Sequence, residues 1–151
     1  MTAFGGTDPV NMVLKTGTTI KGPGKIIGIY DTTGVDLAVN SEIGIGISAA
    51  DSSRTAAGAL DTAAGATCAV FPLGGVLWVQ STAADSWNPG ALVYVDAAGL
   101  ATTTGTSRKK LGIYVGEAGV TGAALVVNGA GDSGATEGTM IPVMTCGAET
   151  A

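Results

Sequence analysis

Apolar residues in this chain come in short runs broken by Gly, Pro and Asp, and nowhere at a sustained helical spacing. Short strands are predicted at Met12-Val13-Leu14 and Thr18-Thr19-Ile20, then at Lys25–Tyr30 after the Gly22-Pro23-Gly24 turn. Asp31-Thr32-Thr33-Gly34 reads as a turn ahead of a strand over Val35–Val39. Ile43-Gly44-Ile45-Gly46-Ile47 alternates with a period of two, which places its three isoleucines on one face. Glycine on the other face points to close backbone approach. Strands resume at Ala69-Val70-Phe71 and Gly75–Gln80.

From Trp87 to Gly116 the chain reads as a meander. The Asn88-Pro89-Gly90 turn leads into Ala91–Val95, the Asp96–Gly99 turn into a second strand, and a basic turn into Leu111–Gly116. A further strand is predicted over Ala123–Val127. Residues 48–67 are rich in Ser, Ala, Asp and Gly, and read as a loop in which any helix is limited to one short turn. The predicted class is all-β, a small β-barrel or sandwich with flexible N- and C-terminal arms. The expected divisions are an arm at 1–11, a β domain at 12–128, and a Gly-rich linker and arm at 129–151. The apolar segment Thr139–Thr145 is expected to lie apart from the barrel, because Pro142 suits an edge or an extended arm better than a central strand. No tandem repeat is legible.

Composition narrows the function classes. Among 151 residues there are 25 Gly, and aromatics make up 5%. Ala supplies much of the hydrophobic fraction and buries little area per residue, so the core reads as thin and reliant on subunit contacts. The net charge of −5 argues against a nucleic-acid partner. The most apolar run, Cys68–Val79, holds Pro72 and Gly74-Gly75 and is too short to span a bilayer, so no membrane partner is expected. Met1–Gly6 has neither a basic start nor an apolar stretch, from which synthesis in the cytoplasm is expected. Cys68 and Cys146 have no metal spacing and read as two free thiols.

Strings that look catalytic do not assemble into sites. Gly131-Asp132-Ser133-Gly134 copies a protease nucleophile string, but the chain has no histidine to act as its base. Ser107-Arg108-Lys109-Lys110 matches S-x-x-K in a turn rather than on a helix, without companion motifs. Gly22-Pro23-Gly24-Lys25 lacks phosphate-loop spacing, and no helix follows Gly44-Ile45-Gly46. Two lone cysteines disfavour zinc. No catalytic residue, cofactor or metal is predicted.

The remaining candidates are contact residues. Trp78 and Trp87 serve either core packing, interface anchoring or, third, sugar stacking. Phe71 joins them as an apolar contact candidate. Arg108, Lys109 and Lys110 form either a solvated turn or a contact with an acidic protein surface, and Met140, Ile141 and Val143 are candidates on the C-terminal segment. From Gly34-Val35-Asp36-Leu37-Ala38-Val39 and Ile43–Ser48, the pattern runs through Ala64–Val70 and Gly74-Gly75-Val76-Leu77-Trp78-Val79. It continues through Asn88–Ala101, Leu111-Gly112-Ile113-Tyr114-Val115-Gly116 and Leu125-Val126-Val127. Over roughly residues 34–128 this order resembles the capsid decoration, or cement, proteins of tailed bacteriophages. The resemblance implies a small barrel-like domain, oligomeric and here expected as a homotrimer. It would sit on the outside of an icosahedral head, bound to the major capsid protein, with no catalytic residues. The alternative class is a carbohydrate- or receptor-binding β module on a virion or cell surface, with an enzyme third.

Overall fold

A computed structural model describes residues 8–39, 42–122, 125–126, 136–137 and 139–145. In chain order its strands are β1 (Val10–Val13), β2 (Ile26–Asp31), β3 (Gly34–Leu37), β4 (Gly44–Ser48), β5 (Thr67–Pro72), β6 (Gly75–Gln80) and β7 (Ser86–Trp87). Then come β8 (Leu92–Asp96), β9 (Leu100–Thr102), β10 (Lys110–Tyr114), β11 (Val120–Thr121), β12 (Leu125–Val126), β13 (Thr136–Glu137) and β14 (Met140–Thr145). The protein is nearly all-β, as its short apolar runs predict.

Two five-stranded antiparallel sheets carry the fold, in the orders β1-β5-β4-β2-β3 and β6-β14-β10-β8-β9. Each curls until its edge strands meet. Leu14, just past β1, bridges Val35 in parallel, and the Lys15 N–H donates to the Val35 carbonyl at 2.9 Å. In the second sheet Ser81 bridges Ala101, and the Thr82 N–H donates to the Ala101 carbonyl at 2.9 Å. Closure removes the unpaired edges that make open sheets prone to aggregation.

The two barrels share one topology and one register. β6, β8, β9, β10 and β14 occupy the places of β1, β2, β3, β4 and β5. Ile26 pairs with Ile47 and Ile47 with Phe71; in the second barrel Leu92 pairs with Ile113 and Ile113 with Met144. Ile29 faces Val35 as Val95 faces Ala101. A bulge recurs at one position: Ile45 is the extra residue between the Gly44–Gly28 and Gly46–Ile27 pairs, and Leu111 between Lys110–Tyr94 and Gly112–Val93. The sequence echoes the duplication. Pro23-Gly24-Lys25-Ile26 answers Pro89-Gly90-Ala91-Leu92, with Gly24 and Gly90 at φ +89° and +87°. Asp31-Thr32-Thr33-Gly34 answers Asp96-Ala97-Ala98-Gly99, and Ile45-Gly46-Ile47 answers Leu111-Gly112-Ile113.

Each barrel has its own core. Leu14, Ile20, Ile27, Cys68 and Val70 fill the first. Leu77, Val79, Val93, Val95, Leu111, Tyr114, Ile141 and Val143 fill the second, and Ile26, Ala38 and Ile47 from the outside of the first barrel pack onto them. The three isoleucines of Ile43–Ile47 therefore do not share one face. The bulge turns Ile45 toward the first core while Ile47 points at the second.

Other sequence expectations are corrected by pairing. The 87–116 segment is not a meander, because β8 lies between β9 and β10. No strand forms at Thr18–Ile20. The Ile20 N–H donates to Ser52 Oγ at 3.0 Å and the Gly22 N–H to Asp51 Oδ1 at 2.6 Å, so these donors are used by loop side chains. Asp51 is partly buried, which disfavours its charge, yet the Arg54 and Gly22 hydrogen bonds with Lys21 nearby hold its carboxyl below the usual range. Residues 48–67 contain no helix; Arg54 and Leu60 bridge across the loop instead. Among the described residues the helical turn is a 3-10 turn at Ala97–Gly99.

The largest correction concerns Met140–Thr145, which is no arm. As β14 it lies between β6 and β10, with Ile141 and Val143 fully buried. Pro142 is tolerated because its carbonyl accepts the Val115 N–H at 3.1 Å, past the end of β10. Backbone N–H and C=O of one residue point the same way in an antiparallel strand, so the missing donor falls where that ladder has ended. Val10 and Asn11, expected in the N-terminal arm, already belong to β1. The rest of the expected arms, at 1–7, 129–135, 138 and 146–151, lies outside the described residues, as do Cys146 and the Gly131–Gly134 string.

Cys68 is a buried free thiol on β5. Burial, with the Asp51 charge adding to it, pushes its pKa up to about 11. Iodoacetamide at pH 8 is therefore expected to leave Cys68 unmodified in the native protein and to alkylate it after denaturation. Peptide mapping checks this, and rapid native labelling at Cys68 would contradict the thiol's burial.

Candidate interaction surfaces

The outside of the second barrel carries an apolar surface. Alternation along each strand sends Leu77, Val79, Ile141, Val143, Val93 and Val95 inward. It therefore turns Val76, Trp78, Pro142, Met144, Ile113 and Leu92 outward. One cross-strand row runs Leu92–Ile113–Met144–Val76. Beside it Trp78 faces Pro142, whose carbonyl holds Val115. Trp78 is 56% exposed, and Leu92, Met144 and Val115 are exposed with it. A contiguous apolar face of this kind marks an interaction surface more than scattered single residues do.

The predicted contact residues separate into distinct groups. Trp78 lies at the surface on this face. Trp87 is fully buried: its Nε1–H donates to Ser81 Oγ at 2.7 Å, and its ring lies 5.6 Å from that of Tyr114. With its polar edge satisfied, Trp87 is a core residue of this chain. Asp85, two residues earlier, accepts from the Thr103 and Thr82 hydroxyls, which outweigh its partial burial and hold its carboxyl below the usual range. Phe71 is half-buried where the first barrel meets the second. Ile141 and Val143 are core, and the half-buried Met140 lies against Gly24. Arg108 closes on Asp96 Oδ1 through Nε at 3.1 Å and Nη2 at 3.0 Å. The Lys109 carbonyl accepts the Val95 N–H at 2.9 Å, and Lys110 is half-buried beside the β10 bulge.

Sequence reasoning missed Leu92, Ile113, Val115 and Met144. Period-two alternation within Leu92–Val95 and Met140–Thr145 holds the signal, because if Val93 and Val143 face the core then Leu92 and Met144 do not.

A second surface feature lies at one end of the first barrel. Met12, Val13, Ile29, Val35 and Ile45 line an open depression of about 490 Å³, rimmed by the Asp31–Gly34 turn. Ile29 is 59% exposed there and Val13 is exposed as well. Lys15 Nζ sits 3.9 Å from the centroid of the neighbouring Tyr30 ring. Among the described residues, no three His, Cys, Asp or Glu side chains gather where they would hold a metal ion.

The described residues thus form a duplicated β-barrel scaffold with an apolar outer sheet face. The family of phage cement proteins matches residues 22–129, and the chain belongs to that family. It is thus a structural component of a phage capsid. No curated protein and no solved structure matches it. The matched span holds four strands of each barrel and leaves out β1 and β14.

Proposed function

We propose that this chain binds the outer surface of an icosahedral phage head, on the major capsid protein, and stabilises the shell without catalysing a reaction. The observation that carries this reading, beside the family, is the pair of exposed residues Trp78 and Val115 flanking the half-buried Pro142. Register makes Trp78 the counterpart of Asn11, since Cys68 opposite Met12 answers Ile141 opposite Val79. The second barrel therefore presents a large aromatic side chain where the first presents a polar one. Exposed Trp is the residue type most enriched among the anchors that dominate binding energy. A ligand that binds the assembled shell and not its parts shifts the equilibrium toward the shell by mass action. Many identical copies, acting as homotrimers, make a modest affinity per site sufficient. The segments before β1 and after β14 extend the footprint onto neighbouring subunits.

Trp78→Ser is the direct test. An exposed position leaves stability within about 0.5 kcal/mol of wild type. Loss of an aromatic anchor costs about 2 kcal/mol of binding, a drop of roughly thirty-fold in affinity for undecorated heads. Co-sedimentation with purified heads measures it, and binding at wild-type affinity would reject this face. Intrinsic fluorescence offers an independent check. Acrylamide is expected to quench Trp78 in the free protein and to leave Trp87 emitting from the core. On decorated heads Trp78 becomes protected as well; an equally accessible Trp78 on the shell would place the contact elsewhere.

A further inference from the structure

The internal duplication shows how one barrel docks on another. In the second barrel, the counterparts of the residues around the first barrel's depression are closed over. Val79, Gln80, Val95, Ala101 and Leu111 stand where Met12, Val13, Ile29, Val35 and Ile45 stand, and all are at most 1% exposed. The first barrel closes them. A Cβ on Gly44 would sit 2.8 Å from Ile26 Cγ2 and 3.3 Å from Leu111 Cδ1, which puts the Ile26 strand over the second barrel's mouth. The Gln80 N–H donates to the Gly24 carbonyl at 2.8 Å, and the Gly99 N–H to the Ala38 carbonyl at 2.9 Å. The plug is the outer row Ile26–Ile47–Phe71 with the Pro23-Gly24 turn beside it.

Both halves of this contact recur at the surface of one chain. The first barrel's mouth is the open depression around Ile29. The second barrel's outer row, Leu92–Ile113–Met144, is the register counterpart of the plug, and the Pro89-Gly90 turn precedes it in the same way. Leu92 and Met144 are exposed. A mouth and a plug on different faces of one molecule make a heterologous contact, which forms a ring when the rotation closes.

We infer that the mouth of the first barrel receives the Leu92–Ile113–Met144 row of a second copy of this chain, head to tail, repeating between copies the contact that joins the barrels within one. This rests on the reading that the chain self-associates. A trimer built this way is a ring of six barrels, and it leaves the Trp78 row on the outside, as the Asn11 position is left in the first barrel.

Two single variants at exposed positions test it: Ile29→Lys blocks the mouth, and Leu92→Glu blocks the plug. Circular dichroism melts near wild type confirm that both fold. Sedimentation velocity of each alone is expected to show monomer where wild type shows oligomer. Mixed in equal amounts, they are expected to form a dimer and nothing larger, because the intact plug of one meets the intact mouth of the other. Either variant remaining oligomeric overturns the inference while the self-association reading stands; this includes the case in which residues 1–7 occupy the mouth in cis. A mixture that stays monomeric overturns the head-to-tail geometry. A monomeric wild type overturns both readings.

Discussion

A chain truncated before Thr139 is expected not to fold its second barrel. β14 supplies Ile141 and Val143, both fully buried, and pairs along its length with β6 and over three residues with β10. Burying each of these aliphatic side chains is worth about 1.5–3 kcal/mol. Removing the strand also strips hydrogen-bond partners from both neighbours, at about 1 kcal/mol per bond, and exposes Leu77, Val79 and Leu111. Together this is on the order of 10 kcal/mol, comparable with the about 5–15 kcal/mol by which a domain is stable. The first barrel loses with it the surface that Ile26 and Ile47 pack against. Limited proteolysis and near-ultraviolet circular dichroism should show a largely unfolded or partly protected species. A truncated chain that melts cooperatively near the full-length temperature would mean that the cores form without β14. Ile141→Ala supplies the graded version, with an expected loss of about 2–5 kcal/mol in urea titration.

That result follows from a strand whose place the sequence conceals. Met140–Thr145 follows a Gly-rich stretch and contains Pro142, both of which locally argue for an arm. What overrides them is non-local: a gap between β6 and β10 that needs one more strand, and a ladder ending at Tyr114 where a missing N–H costs little. Most of the longer strands were legible from alternation and turn residues, which act within a few positions, whereas the strand expected at Thr18–Ile20 does not form. The strands' neighbours were not legible. Chain proximity favours a meander over 87–116, whereas closure of the barrel places β8 in the middle. The duplication was hidden for a related reason. Its two copies share the residues that bend the backbone, such as Gly24 and Gly90 or Asp31 and Asp96, but exchange the side chains between them. Tyr30 bulges ahead of one copy's turn while the other copy's turn is a residue longer, so the shared Asp-x-x-Gly is displaced by one from the register. Residue type alone makes Trp78 a candidate, and alternation with Leu77 and Val79 explains its exposure. Residue type makes Trp87 a candidate equally, and its two-residue strand carries no alternation from which its burial can be read.

The duplicated barrels make a second strong prediction at the glycines of the I-G-I and L-G-I strings. Gly46 and Gly112 occupy one position, where the fourth strand passes the fifth. A Cβ on Gly112 would lie 2.2 Å from the Met144 carbonyl oxygen and 2.9 Å from its carbon. A Cβ on Gly46 would lie 2.4 Å from Val70 Cγ1 and 2.7 Å from the Phe71 carbonyl oxygen. The neighbours at Gly112 are backbone atoms of a central strand, so relief requires β10 and β14 to part and lose ladder bonds. At Gly46 a Val70 rotation relieves part of the clash, so its penalty is smaller. Gly112→Ala is expected to cost about 3 kcal/mol or more, lowering Tm by roughly 10 °C, and Gly46→Ala somewhat less. Gly58→Ala separates this from backbone strain. Gly58 has φ +88° with nothing within 4 Å of the added carbon, so its cost is about 1 kcal/mol from conformation alone. Thermal melts of the three variants test the order Gly112, Gly46, Gly58 from most to least damaging. If Gly112→Ala were as mild as Gly58→Ala, the fourth and fifth strands would not approach closely enough for glycine to be required. The recurrence of glycine beside the recurrent bulge would then need another cause. If the order holds, the bulge and the glycine act together in both barrels. The bulge turns Ile45 or Leu111 inward, and the glycine next to it lets the fifth strand come close enough to close the barrel around that side chain.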